Sequence, residues 1–142
     1  MIFSEEQIKD ITEDIHIGMK CFIRKSDQKI IKTTDWDDPY FDQSAWEKED
    51  IQQMEDIQNN LLAYHEILKM PSHEAFEVME NFADAVEDHR LKNSLMAALN
   101  KRKPFAHFKN VVDYSDYRSA WFEFRDQAQR DWVRKQIRGF SE

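Results

Sequence analysis

The sequence predicts an α+β fold: an N-terminal helix, a small antiparallel sheet of about three strands, and an all-helical C-terminal half packed on it. Three observations point there. Apolar residues switch between a 3–4 period and simple alternation in the first 70 residues, and keep the 3–4 period from residue 71 onward. With 2 Gly and 3 Pro in 142 residues, the chain lacks the turn chemistry of a loop-rich β fold. Its 34% of charged residues suits helices with solvated outer faces, and its 41% of hydrophobic residues supplies a core. The length fits a single domain over 1–142, with 1–70 as helix, hairpin, helix and strand and 71–142 as the helical part.

Ser4-Glu5-Glu6-Gln7 has the form of a capping box, and Ile8, Ile11 and Ile15 follow at helical spacing, which predicts a helix over about 4–14. Ile17, Met19, Cys21 and Ile23 then alternate with Gly18, Lys20, Phe22 and Arg24, a half-buried strand interrupted only by Phe22. The polar stretch Lys25–Gln28 and the β-rich stretch 29–34 complete a hairpin. Residues 35–42 form an acidic and aromatic loop. Ser44 with Glu47 suggests a second capping box, opening a helix to about Asn60. Leu62 to Leu68 reads as a third strand, and Ser72 as the cap of a helix carrying Phe76, Met79, Phe82, Ala83 and Val86. Helices over about 88–100, from Pro104, and from a Ser115 cap to Gly139 complete the chain. The expected architecture is a three-stranded sheet covered on one side by helices.

Charge divides the chain. Residues 1–99 hold 10 Lys/Arg against 22 Asp/Glu, and residues 100–142 hold 10 against 6. The basic part is a candidate binding surface in a molecule of net charge −8. The single Cys21 excludes an internal disulfide. With no signal-peptide pattern at the N-terminus and no apolar run near the roughly 20 residues that span a bilayer, the expected location is the cytoplasm, away from membranes.

Three segments taken together carry a resemblance. They are Pro71-Ser72-His73-Glu74-Ala75-Phe76 with Met79-Glu80-Asn81-Phe82, then Leu95–Leu99, then Pro104-Phe105, Phe108-Lys109 and Trp121-Phe122-x-Phe124-Arg125. In this order, over roughly 62–135, they resemble a bacterial uncharacterised protein family marked by SHEA(F/Y)…MExF, AL…PFxxFK and WFxF segments. The chain departs from it at Asn100–Lys103, where members often have a Gly in a shorter basic turn, and at Ala106-His107, where they tend to be more basic. The resemblance implies a bacterial cytoplasmic origin and brings no activity, cofactor or catalytic residue.

Read for chemistry, the residues offer little. His73-Glu74 lacks the second His, four positions on, that a zincin helix needs, and Glu74 complements a helix N-terminus instead. Glu77, Glu80, Asp84 and Asp88 share a face but find no Glu-x-x-His partner helix, so they read as a solvated acidic face. Cys21, in phase with the buried alternation, reads as a core residue. With Gly only at 18 and 139, neither a dinucleotide-binding nor a Walker A loop can be written. No catalytic residue, metal ligand or cofactor is expected.

The candidate binding surface is Lys101, Arg102, Lys103, His107, Lys109 and Arg125, with Trp36 and Tyr40 of the aromatic loop. Phe105, Phe108, Trp121 and Phe124 have the spacing of buried helix faces, and Arg125 is placed to lie over a ring or pair with Asp116 or Asp126. The loop aromatics fold back as a lid on the core or stay exposed. The first expectation is a non-catalytic protein-interaction or adaptor domain. The second is a nucleic-acid-associated protein gripping phosphates through 101–109. The third is an enzyme of unknown class.

Overall fold

Ser4 opens helix α1 (Glu5–His16) with the reciprocal pair that its spacing predicts. Its hydroxyl accepts the Gln7 N–H at 3.1 Å, and the Gln7 side chain accepts the Ser4 N–H at 2.8 Å. The structure, a computed structural model, describes residues 2–140; Met1 and the last two residues, though inside the expected 1–142 domain, lie outside them. The helix stops in a Schellman motif: Gly18 N–H bonds Ile15 O and Met19 N–H bonds Asp14 O, both at 3.0 Å. Gly18 takes φ +97, which glycine adopts without a Cβ clash. This motif corrects the expected strand start. Ile17 is the C-cap, 72% exposed, and the strand begins only with β1 (Lys20–Arg24).

Strand β1 pairs antiparallel with β2 (Ile30–Thr33) and with β3 (Tyr64–Ile67), in the order β2-β1-β3. The hairpin turns through Gln28 in the left-handed region, and Arg24 N–H donates to Lys29 O at 2.9 Å. Phe22, which breaks the sequence alternation, marks the second correction: the sheet is covered on both faces, so three consecutive β1 residues are buried. Cys21, Ile23 and Ile67 pack with Ile8, Ile11 and Ile15 of α1 and with Val133 and Ile137 from the end of α6 (Arg118–Phe140). Phe22 and Ile31 pack on the other face with Ile57 of α2 (Lys48–Asn59).

Helix α2 starts later than Ser44. Asp42 accepts both the Ser44 N–H (3.0 Å) and the Ser44 hydroxyl (2.7 Å), capping a 3₁₀ turn over Gln43–Ala45. With its hydroxyl committed there, Ser44 closes no box with Glu47, which becomes the N-cap without a side-chain bond. A second 3₁₀ turn, Leu61–Ala63, takes the first residues of the expected third strand and leaves Leu62 90% exposed.

Two compact units make up the chain: residues up to Lys69 together with those from Trp132, and Met70–Asp131. In the first, the end of α6 is fastened to the residue after β3. Trp132 Nε1 donates to Leu68 O at 3.0 Å, and the Gln136 amide bonds both Leu68 N–H (2.8 Å) and O (2.9 Å).

The second unit is helical. Pro71, not Ser72, is the N-cap of α3 (Ser72–Ala85); Ser72 falls inside the first turn. Asp88 caps α4 (His89–Leu99) through the Leu91 N–H at 3.0 Å. Pro104 stands at the start of α5 (Pro104–Asp113), where a missing N–H costs nothing. Ser115 serves the turn instead of a cap: its hydroxyl donates to Val112 O and accepts the Tyr117 N–H, and α6 begins at Arg118. That helix runs through Gly139, which is therefore not its C-cap. Phe82, Phe108 and Trp121 meet edge-on in the core, with centroids 4.9 to 6.4 Å apart. No helix among the described residues is long and apolar enough to cross a membrane.

Candidate functional site

The α4–α5 corner gathers most of the sequence-predicted surface. Lys101, Arg102 and Lys103 fill the turn between the helices, and His107 and Lys109 follow within two turns of α5. All five are exposed, and none makes a side-chain hydrogen bond or ion pair among the described residues. Lys103 adopts φ 55, ψ 57 and stands as the N-cap without a capping bond. For a residue with a Cβ, that conformation costs on the order of 1–2 kcal/mol. Three cations thus stand at the positive end of a helix whose first N–H groups have no side-chain acceptor. The five do not form one face: His107 and Lys109 are two residues apart and diverge by about 200° around α5.

Arg125 is committed elsewhere. Its guanidinium bonds Asp126 Oδ1 at 3.1 and 3.2 Å and sits 4.9 Å from the Phe122 centroid, with Arg118 4.7 Å from the same ring. Phe105, expected in the core with Phe108, is 44% exposed one turn before Lys109, whereas Phe108 is 1% exposed.

The aromatic loop belongs to the first unit, and its rings part company. Trp36 is the lid: it stacks on Phe22 with centroids 5.4 Å apart and planes 10° from parallel. Tyr40 is 93% exposed. Phe41 turns inward on Trp46, 4.9 Å away. Lys20 pins this loop, reaching Asp37 at 2.9 Å, Asp35 at 3.9 Å and Glu66 of β3 at 3.1 Å while lying 5.2 Å from the Trp36 centroid. Burial pulls the Lys20 pKa down, but hydrogen bonds from its ammonium to Asp37 and Glu66, with their charges, hold it above the ordinary lysine value. Nothing in the sequence marks Lys20, because Asp35, Asp37 and Glu66 come to it only once the strands are in register.

Cys21 is 0% exposed, and burial pushes its thiol up to about 12. A thiol-specific probe at pH 8 should therefore leave Cys21 unmodified in the folded protein and label it fully in denaturant. Fast labelling of the folded chain would contradict the buried position. Of the acidic series, Asp84 pairs with Lys92 at 3.5 Å, and Asp88 lies beyond the end of α3, capping α4. Among the described residues no three His, Cys, Asp or Glu side chains converge as a metal site.

A model of an uncharacterised protein family, UPF0158, matches residues 32–140. The chain belongs to that family. No curated protein and no solved structure matches it. The UPF0158 match takes in α2 to α6 and leaves α1 and β1, with Lys20 and Phe22, outside it. The family is described as uncharacterised and so gives no residue a role.

Proposed function

We propose that this chain is a non-catalytic interaction module of the bacterial cytoplasm, docking an acidic surface of a partner protein on the α4–α5 corner. The observation that carries the reading is the charge in the turn: Lys101, Arg102 and Lys103 are exposed, with no side-chain partner among the described residues, at a helix N-terminus, in a protein of net charge −8. Some cations elsewhere are paired, as with Arg24 and Asp27 or Arg118 and Asp113, whereas the corner gathers three consecutive ones with no ion pair among the described residues. Lys103 sits where glycine would be cheaper, which favours a use for its side chain.

A protein partner fits better than nucleic acid. Base stacking needs several exposed rings beside the cations, and here Phe108 is buried, which leaves Phe105, 44% exposed, and the His107 ring. The acidic remainder of the molecule also repels a polyanion longer than the corner.

The test compares the wild-type chain with the K101E/R102E/K103E variant as bait in extract from the native cell. Recovery of the partner should fall at least about tenfold for the variant and decline with added salt. Equal recovery by the two baits would remove the reading. A mobility shift of DNA or RNA at about 0.1 M salt would favour the nucleic-acid alternative instead.

A further inference from the structure

We infer that the open edge of β2 takes an extended segment of another protein, one carrying lysine or arginine at alternate positions, as a fourth strand beside α2. This stands apart from the α4–α5 corner and rests on different observations.

The first is the hydrogen-bond phase of the sheet. Arg24 N–H donates to Lys29 O at 2.9 Å, and antiparallel pairs alternate between bonded and non-bonded. Counting back along the register, Phe22 and Ile31 are a bonded pair, as are Lys20 and Thr33. Ile30 and Lys32, opposite Ile23 and Cys21, therefore turn their N–H and C=O groups outward. The β3 side agrees: Lys25 N–H bonds Ala63 O at 2.9 Å, so Ile23 and Cys21 direct their backbone groups to β3. Strand β2 is an edge of the sheet, and among the described residues no protein group bonds the outward amides of Ile30 and Lys32. Such an edge is a template for an added strand.

The second observation is room for side chains. Where α2 lies over the sheet, two clefts of about 310 and 500 Å³ open beside it and share Gln53. Thr33 and Thr34 border the smaller cleft, and Lys29 and Ile31 the larger. A strand bonded to Ile30 and Lys32 would place the residue opposite Ile31 on the sheet face that carries α2, together with its neighbours two positions away.

Charge selects the occupant. The α2 side of the clefts carries Glu47, Glu49, Asp50 and Asp56, against Lys48 alone. On the sheet side, Lys32 of β2 is already paired with Asp14 and Arg24 of β1 with Asp27, which leaves Lys29 as the unpaired cation there among the described residues, against four carboxylates from α2 and its N-cap. The side chains that point at α2 should thus be basic, with β-branched residues between them. A second copy of this acidic chain, also at net charge −8, is a poor fit.

The probe is a nine-residue peptide alternating lysine with valine, titrated into the full-length chain and followed by amide NMR. The Ile30 and Lys32 amides should shift most and gain protection from exchange. Three changes isolate the main-chain bonds. K32P removes one outward N–H at an edge position that tolerates proline, and should weaken binding at least about tenfold. K32A also loses the pair with Asp14 but keeps the N–H, and should bind within about threefold of wild type. A probe N-methylated on the bonding edge should bind at least about tenfold more weakly to the unaltered protein. An alternating glutamate–valine peptide should bind at least about tenfold more weakly too. Equal binding of the N-methylated or glutamate probe, no binding of the lysine probe, or a wild-type dimer that K32P dissolves would each overturn the inference.

Discussion

Replacing Phe108 with alanine should destabilise the protein by about 3–5 kcal/mol, the usual cost of emptying a buried phenylalanine site. Phe108 is 1% exposed and meets Trp121 at 4.9 Å and Phe82 at 6.4 Å, both edge-on. The substitution loses burial, ring-edge contacts and packing at once, because helices α3, α5 and α6 converge there and cannot all close in. Phe108→Leu keeps most of the volume and should cost about 1–1.5 kcal/mol. Phe105→Ala, three residues earlier with 44% of its surface exposed, should cost about 1 kcal/mol or less. Urea denaturation of the three variants reads the series. Equal costs at 105 and 108 would mean that α5 is rotated from the orientation described.

That contrast shows how far periodicity reaches. It places Phe108, Val112, Trp121 and Leu95 in the core, because four or five apolar positions per helix outvote a single error. At a helix's first turn only one or two residues vote, and Phe105 beside Pro104 faces outward despite its spacing from Phe108. Caps failed in the same way. Ser4 formed its box with Gln7. Ser44 had a nearer acceptor in Asp42, and Ser115 bonded the preceding carbonyl of Val112. A sequence motif states what a hydroxyl can do, and competition among neighbours decides what it does.

Site residues divide along the same line. Lys101 to Lys103 were legible because a run of like charge in a turn has nowhere to be neutralised locally. Arg125 was half legible: its pairing with Asp126 follows from adjacency, while the choice of Phe122 for its guanidinium depends on rotamers. Trp36 and Tyr40 share one loop with opposite fates because Trp36 has Phe22 and Lys20 to rest on, and nothing in the sequence ties residue 36 to residues 20 and 22. Long-range pairing of this kind appears only once the strands are in register.

Phe22 supplies the sharpest test of that last point. Strict alternation makes it the outward residue of β1, and an outward substitution changes stability by no more than about 0.5 kcal/mol. In the structure it is 1% exposed, stacked on Trp36, edge-on to Tyr64 at 6.3 Å, and packed with Ile31 and Ile57. Phe22→Ala should therefore cost about 3–5 kcal/mol. It should also loosen Trp36, since the indole loses the ring it stacks on, while the Lys20 ammonium stays 5.2 Å from it. Lys20→Met separates these two supports. It removes the ammonium from Asp35, Asp37 and Glu66 while leaving Phe22 in place, so the ring should stay stacked even as the loop loses its ionic anchor. Urea midpoints give the stability of each variant, and accessibility of Trp36 to a collisional quencher, in a background with the other three tryptophans replaced by phenylalanine, reports the lid. If Phe22→Ala leaves both unchanged, the sheet is one-sided as alternation alone would have it. If it costs several kcal/mol and exposes the indole while Lys20→Met does not, the loop is held chiefly by the hydrophobic stack, with the ion cluster setting its register.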